Sequence, residues 1–211
     1  MKTIQVNSSK SIAHRSIICA SLSNKTSTIS HVDFCDDVNA TIECLKALGT
    51  TITIINDQVI VNGSTTFTKQ PKVIDVNESG STLRFLIPLI LLHQEQIIIK
   101  TSNNLINRPL DVYEQLFNIN KKGQEIHISG KLTNLNIKIL GNISSQFITG
   151  LLFALPLLPI ESTLSIIEPY ESKQYVHLTI DILNKYGITI NQNNNIYNVL
   201  PNQQYHNYDI E

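Results

Sequence analysis

Ser8-Ser9-Lys10-Ser11-Ile12-Ala13-His14-Arg15 is the stretch on which a reading of this chain turns. Hydroxyls and two cations surround the start of an apolar run in which Ile12, Ile17, Ile18 and Leu22 share one helical face. The spacing predicts a helix over residues 9–22, whose first turn carries unpaired N–H groups and a partial positive charge. Taken alone, a serine pair there is an ordinary N-cap. Related starts recur at Ser79-Gly80-Ser81-Thr82-Leu83-Arg84 and at Ile143-Ser144-Ser145-Gln146-Phe147. Each opens a run that is apolar on most sides, so three anion-ready helix starts call for one explanation.

Working outward, Ile4 and Val6 alternate with polar neighbours as a short strand, and residues 27–32 read as a second. Asp36-Asp37 begins an amphipathic helix through Ile42, Leu45 and Leu48, stopped by Gly49, and residues 51–55 and 58–61 form a hairpin about Asn56-Asp57. The order then repeats. Residues 72–76 are a strand, 80–92 an apolar helix and 96–100 a strand. Arg108-Pro109 opens an amphipathic helix with Val112, Leu116 and Phe117 on one side, and residues 125–128 form the next strand. A third copy follows with strand 136–140, helix 145–158, strand 163–167, helix 175–186 ended by Gly187, and a hairpin of 188–191 with 195–200. The expectation is one α/β (α+β) domain over residues 1–211, built of three β-α-β-α-β-β repeats at about 1–62, 72–129 and 136–200. The first helix of each repeat is apolar on most sides and belongs inside; the second is striped and can face water. Parallel inner helices would bring their starts together.

Composition narrows the partners. A chain of 211 residues can bury one sizeable core. Its formal charge of −1 and lack of a basic tract argue against nucleic acid, so any anion site is local. Cys19, Cys35 and Cys44 lack CxxC spacing and read as reduced thiols of a cytosolic protein, and the six histidines show no zinc-like spacing. They read as surface or partly packed side chains. The apolar runs 83–92 and 147–160 are short for a membrane span and contain Pro88 and Pro156. No signal-peptide pattern opens the chain, and a cytoplasmic location is expected.

With these residues in hand, the chain resembles the N-terminal half of the 5-enolpyruvylshikimate-3-phosphate synthase family. Ser9-Lys10-Ser11 with Arg15 is similar to the family's SKS-x-x-x-R segment, and Glu78-Ser79-Gly80-Ser81-Thr82-Leu83-Arg84 to its Gly-rich loop. Arg108-Pro109-Leu110, Ser144-Ser145-Gln146-Phe147 and Ser172-Lys173-Gln174-Tyr175 match three further segments in order. The resemblance implies transfer of the enolpyruvyl group of phosphoenolpyruvate to the 5-hydroxyl of shikimate 3-phosphate, with no metal or organic cofactor. It implies that Ser144, Ser145 and Ser172 hold the shikimate phosphate, with Gln146 and Tyr175 lining that substrate. Ser11 and Arg15 would hold its ring substituents and carboxylate. Lys10, Gly80, Arg108 and Gln146 would face phosphoenolpyruvate, where the inhibitor glyphosate also binds, and Lys10 would be the catalytic residue. Arg84 reads as more structural than Arg15, and Asp36-Asp37 as helix capping.

The chain departs from the family pattern in carrying Asn7-Ser8 before the Lys10 segment, Glu78 in the Gly-rich loop and a shortened stretch from 117 to 129, where Lys121-Lys122 reads as a solvated turn. A second, C-terminal domain that closes the family's site is missing from these residues, which implies a substrate-binding half incomplete for turnover. Two alternatives stand beside this reading. One is the UDP-N-acetylglucosamine enolpyruvyl transferase, against which Ser11 after Lys10 and the lack of a cysteine near Arg108 both count. The other is a non-catalytic repeat domain whose serines are only caps.

Overall fold

A computed structural model of the chain describes residues 9–133 and 135–211. The strand expected at Ile4 and Val6 lies outside them. Each of the three serine-led starts becomes a capped helix. Ser9 Oγ accepts from Ile12 N at the head of α1 (Lys10–Leu22), Ser79 from Thr82 N at α3 (Gly80–His93), and Ser144 from Gln146 N at α6 (Ser145–Ala154). Such caps satisfy donors that the first turn leaves unpaired. The striped helices are α2 (Asp36–Ala47) and α7 (Lys173–Lys185). Both end as their glycines predict: Gly49 and Gly187 follow with φ of 103° and 82°, conformations that glycine adopts without a Cβ penalty.

The strands form three sheets, one per repeat. In the second, β4 (Val73–Asp75), β5 (Gln96–Lys100), β6 (Asn118–Lys122) and β7 (Glu125–Ser129) lie in the order β4-β5-β7-β6. In the third, β8 (Asn136–Leu140), β9 (Ser162–Ile167), β10 (Ile190–Asn193) and β11 (Ile196–Val199) repeat that order as β8-β9-β11-β10. The first pair is parallel in each, as a helical crossover requires, and the rest antiparallel. The first sheet has β1 (Thr26–Ile29), β2 (Thr51–Ile55) and β3 (Gln58–Asn62) in the order β1-β3-β2, which matches the last three strands of the others. The open edge of β1 is taken by the chain's last residues. Ile210 bridges Ile29 in parallel, Ser30 N donates to Ile210 O, Ile210 N to Thr28 O, and Thr28 N to the Asp209 carboxylate. Residues 208–210 thus stand on the first sheet where β4 and β8 stand on theirs.

Two expectations are corrected. Arg108-Pro109 does not open a long amphipathic helix. The segment holds two single turns, α4 (Asn103–Ile106) and α5 (Asp111–Glu114), and Arg108-Pro109 lies between them. Val112, Leu116 and Phe117 do have helical spacing, but ladder pairing begins at Asn118 and claims the backbone for β6. Lys121-Lys122 is accordingly part of a strand, with the turn supplied by Gly123 at φ 59°.

Because α5 is one turn long, α3 and α6 meet directly. Ser81 contacts Gln146, the Arg84 carbonyl lies against Gly150, and Phe85 packs edge-on against Phe153 at 5.6 Å. Positions on the two helices advance together, so α3 and α6 run in the same sense. The same holds for α1 and α2, where Lys10 meets Asp37 and His14 meets Thr41. Tyr113 of α5 closes the junction, donating to the carbonyls of Arg84 at 2.6 Å and Phe147 at 3.2 Å. A Cβ at Gly150 would collide with the Arg84 carbonyl and the Tyr113 hydroxyl. Backbone cannot move aside as a side-chain tip can. Gly150→Ala is therefore expected to destabilise the domain by about 1–3 kcal/mol, read as a lower urea midpoint at unchanged slope.

Candidate functional site

Parallel packing leaves the helix starts on one side. Lys10, in the first turn of α1, gives a 2.6 Å ion pair to Asp37 in the first turn of α2. The hydrogen bond to Asp37 is the main reason that the Lys10 pKa is raised, so the side chain is an ammonium at neutral pH. Partial burial opposes ionisation of Asp37, but hydrogen bonds from Lys10 and Ser79 and the neighbouring positive charge more than offset it. The net shift is downward. Since Lys10 is half-exposed, this pair holds geometry more than it stabilises the fold.

Behind Lys10 lies Arg15, only 3% exposed. Its Nε donates to Thr179 Oγ1 at 2.8 Å, Nη1 to Ser11 O at 2.8 Å, and Nη2 to Thr149 Oγ1 and Tyr175 O at 3.4 Å each. The plane also faces the Phe85 ring, 5.2 Å from its centroid. Burial pushes its pKa down to about 10, which still leaves it charged. Among the described residues all these acceptors are neutral oxygens. A buried cation so arranged can still accept an anion's charge.

The second cluster lies at the starts of α3 and α6. Arg84, 4% exposed, donates from Nη1 to Gln146 Oε1 at 2.8 Å and from Nη2 to Pro109 O at 3.2 Å, and stacks 4.8 Å from the Phe147 ring. Gln146 Nε2 in turn donates to Ser81 Oγ at 2.9 Å, which fixes the amide's orientation. Gly80 sits in the middle: a Cβ there would lie 3.1 Å from Arg84 Nη1, 3.3 Å from Arg108 Nη1 and 3.6 Å from Gln146 Oε1. Glycine therefore leaves room for a ligand among two guanidinium groups and an amide. Exposed Arg108 is steadied through its carbonyl, which accepts from Lys121 Nζ at 2.8 Å.

The third group comes from the last repeat. Exposed Ser144 and buried Ser145 open α6, and Ser172 stands at the start of α7. Their loops are tied at Gly141, whose carbonyl accepts from Glu171 N and whose Cα faces Pro169 and Tyr170 too closely for a side chain. Tyr175, 54% exposed, turns its ring outward and its carbonyl to Arg15.

Residues 1–211 match the family described as EPSP synthase (3-phosphoshikimate 1-carboxyvinyltransferase). This chain belongs to that family. It is 43% identical over 220 residues to the 3-phosphoshikimate 1-carboxyvinyltransferase of Clostridium perfringens, covering 99% of this chain and 52% of the relative. It is 43% identical over 199 residues to that of Clostridium kluyveri, covering 89% and 46%. An EPSP synthase structure from Acinetobacter baumannii superposes with a TM-score of 0.83 at 20% identity, over 98% of this chain and 48% of the other. The chain spans about half the length of the curated relatives it matches. The match favours this family over the nucleotide-sugar transferase and over a repeat domain with caps alone.

Within this family member, the residues singled out from sequence fall into connected groups. Lys10, Ser11 and Arg15 stand within the first two turns of α1, Gly80, Arg108 and Gln146 converge, and Ser144, Ser145 and Ser172 share adjoining loops. Arg84, read from the sequence as more structural than Arg15, is 4% exposed and Arg15 is 3% exposed, so burial does not separate the two. Asp37 and Lys121 make contacts that their local sequence does not announce. The Cys35 side chain at the N-cap of α2 makes no cap hydrogen bond, and Asp37, read as capping, pairs with Lys10. Lys121, read as part of a solvated turn, reaches the Arg108 carbonyl; the hairpin register, invisible in periodicity, places it there. Among the described residues, no group of three His, Cys, Asp or Glu could hold a metal ion, and no helix is long and apolar enough to cross a membrane.

His14 also corrects the sequence reading, being 1% exposed rather than superficial. Burial, aided by the charges of Lys10 and Arg15 against that of Asp37, lowers its pKa to about 4. Between the unfolded value of 6.5 and about 4, the unfolded chain binds a proton that the folded chain does not. This contribution to stability is present above pH 6.5 and is lost on acidification. It amounts to about 2 kcal/mol between pH 7 and pH 5. Urea unfolding at the two pH values checks this: His14→Gln is expected to show a loss smaller than the parent's by about that amount.

Proposed function

We propose that these 211 residues form the substrate-binding half of an enolpyruvyl transferase, taking shikimate 3-phosphate and one face of phosphoenolpyruvate, with phosphate released on transfer to the 5-hydroxyl. The observation that carries the reading is the convergence of three serine-capped inner-helix starts with Lys10, Arg15, Arg84 and Arg108, in a chain of net charge −1. Ser144, Ser145 and Ser172 are assigned to the shikimate phosphate, for which hydroxyls and helix N–H groups are suited. Ser11 and Arg15 are assigned to the ring and its carboxylate, with Gln146 and Tyr175 beside them. Arg108, Gly80 and Gln146 are assigned to phosphoenolpyruvate.

Lys10 is assigned to both substrates and to the chemistry. Its raised pKa makes it a charge donor and acid at neutral pH rather than a base, suited to stabilising anionic oxygens as phosphate departs. Turnover is assigned to the complete site. Transfer between two anions requires a cleft that excludes water and supplies groups from both faces. The relatives are about twice as long as the stretch matched here. A cytoplasmic setting accords with reduced Cys19, Cys35 and Cys44, which form no disulfide among the described residues.

Calorimetric titration with shikimate 3-phosphate tests the reading. The parent is expected to bind saturably, and Ser144→Ala/Ser145→Ala and Arg15→Lys each to weaken binding by about 10-fold or more, as loss of charge-assisted hydrogen bonds predicts. Thermal melts of the variants verify their folding. Absence of saturable binding by folded parent protein would overturn the proposal.

A further inference from the structure

Behind the Lys10–Asp37 pair, four polar side chains from three helices form a continuous path. His14 Nδ1 lies 2.7 Å from Thr41 Oγ1, Thr41 Oγ1 lies 2.7 Å from Thr82 Oγ1, and Thr82 Oγ1 donates to Ser79 Oγ at 2.7 Å. Ser79 lines the same cleft as Asp37, close enough for its hydroxyl to help hold the Asp37 pKa down. All four are buried, each 1% exposed or less. We propose that His14, Thr41, Thr82 and Ser79 form a one-way chain of hydrogen-bond donors ending on the Asp37 carboxylate, positioning residues that hold Asp37, and through it Lys10, for an anionic ligand. The inference rests on the assignment of Lys10 to the ligand site.

The direction follows from counting protons. An ionised carboxylate only accepts, so Ser79 spends its one hydroxyl proton on Asp37. Ser79 Oγ must then accept, and it does so from the Thr82 hydroxyl and also from Thr82 N at 3.2 Å. Both threonine hydroxyls also lie 3.4 Å from the Asp37 carbonyl oxygen, but the 2.7 Å contacts are the shorter ones, so, with its proton on Ser79, Thr82 accepts from Thr41, and Thr41 accepts from His14. His14 is therefore neutral with its proton on Nδ1. A separate observation agrees. Nε2 of His14 is buried without a hydrogen-bond partner among the described residues, beside the edge-on Phe85 ring at 6.2 Å. A proton there would be a donor stranded in apolar surroundings, whereas on Nδ1 it is used.

The arrangement answers a local electrostatic problem. Asp37 and Ser79 line a cleft of about 530 Å³ together with Asp36, Asp75 and Glu78, whose charges disfavour another anion. Lys10 and His14 face Asp37 from α1, and Cys35 lies close to Lys10 at the start of α2. A chain able only to donate toward Asp37 favours its ionised form and fixes its direction. If Thr82 were apolar, Ser79 would lose the shorter of its two incoming donors, keeping only the backbone N–H of residue 82, and the path would be cut in the middle.

The test uses the 211-residue chain without ligand. Nitrogen-15 NMR of the His14 ring is expected to place the proton on Nδ1. Carbon-13 titration of Asp37 is expected to move upward in Thr82→Val relative to the parent and to return in Thr82→Ser, which keeps the hydroxyl. A loss of packing alone would not be repaired this way. A His14 proton on Nε2, or an Asp37 titration that Thr82→Val leaves unchanged, would overturn the chain; were Thr82→Val not to fold, the His14 tautomer of the parent decides by itself. Neither readout needs substrate. A parent with the donor chain intact that does not bind shikimate 3-phosphate would sink the ligand assignment alone.

Discussion

Helices that pack side by side in the same sense leave all their unpaired first-turn N–H groups on one face of the domain. The contacts Ser81–Gln146 and Phe85–Phe153, advancing together along α3 and α6, impose this on the core pair. Lys10–Asp37 and His14–Thr41 extend it to α1 and α2. The resulting face is positive before any side chain is counted. Everything assigned to ligand lies on it, and Gly150, which lets α3 and α6 approach, is as necessary to it as the polar residues are.

Such a face is costly to assemble, because burying a cation removes its water. The domain meets that cost differently at its two buried arginines. Arg15 is solvated by hydroxyls and carbonyls from α1, α6 and α7. Arg84 is held by one amide, one carbonyl and an aromatic face, leaving its Nε unpartnered among the described residues. Neutral partners preserve the net positive charge that carboxylates would cancel. Where a carboxylate is used, at Asp37, it meets the exposed Lys10 rather than a buried guanidinium. Rigid hydrogen bonding behind, with an accessible cation in front, is an arrangement suited to preorganised anion binding.

The repeat order was legible because its signals are local. Serine caps, the glycine stops at 49 and 187, and the contrast between apolar and striped helices are each written within a few residues. The short second helix of the middle repeat was not legible. Val112, Leu116 and Phe117 satisfy helical spacing, and nothing nearby announces that Asn118 will pair with Ser129. The pairing of residues 208–210 with β1 was equally hidden, since strand partners separated by some 180 positions leave no periodic trace.

By itself the sequence determined the three capped starts, the buried character of the helices they open, and the ordered segments that carry the family resemblance. Those features depend on side-chain type and spacing, which a linear chain displays. Tertiary structure alone decided which groups meet: Asp37 with Lys10, Gln146 with Arg84, Lys121 with Arg108, and the hydroxyl path from His14 to Ser79. Hydrogen bonds reach about 3 Å and are set by how helices from different repeats pack, a relation that no single repeat encodes.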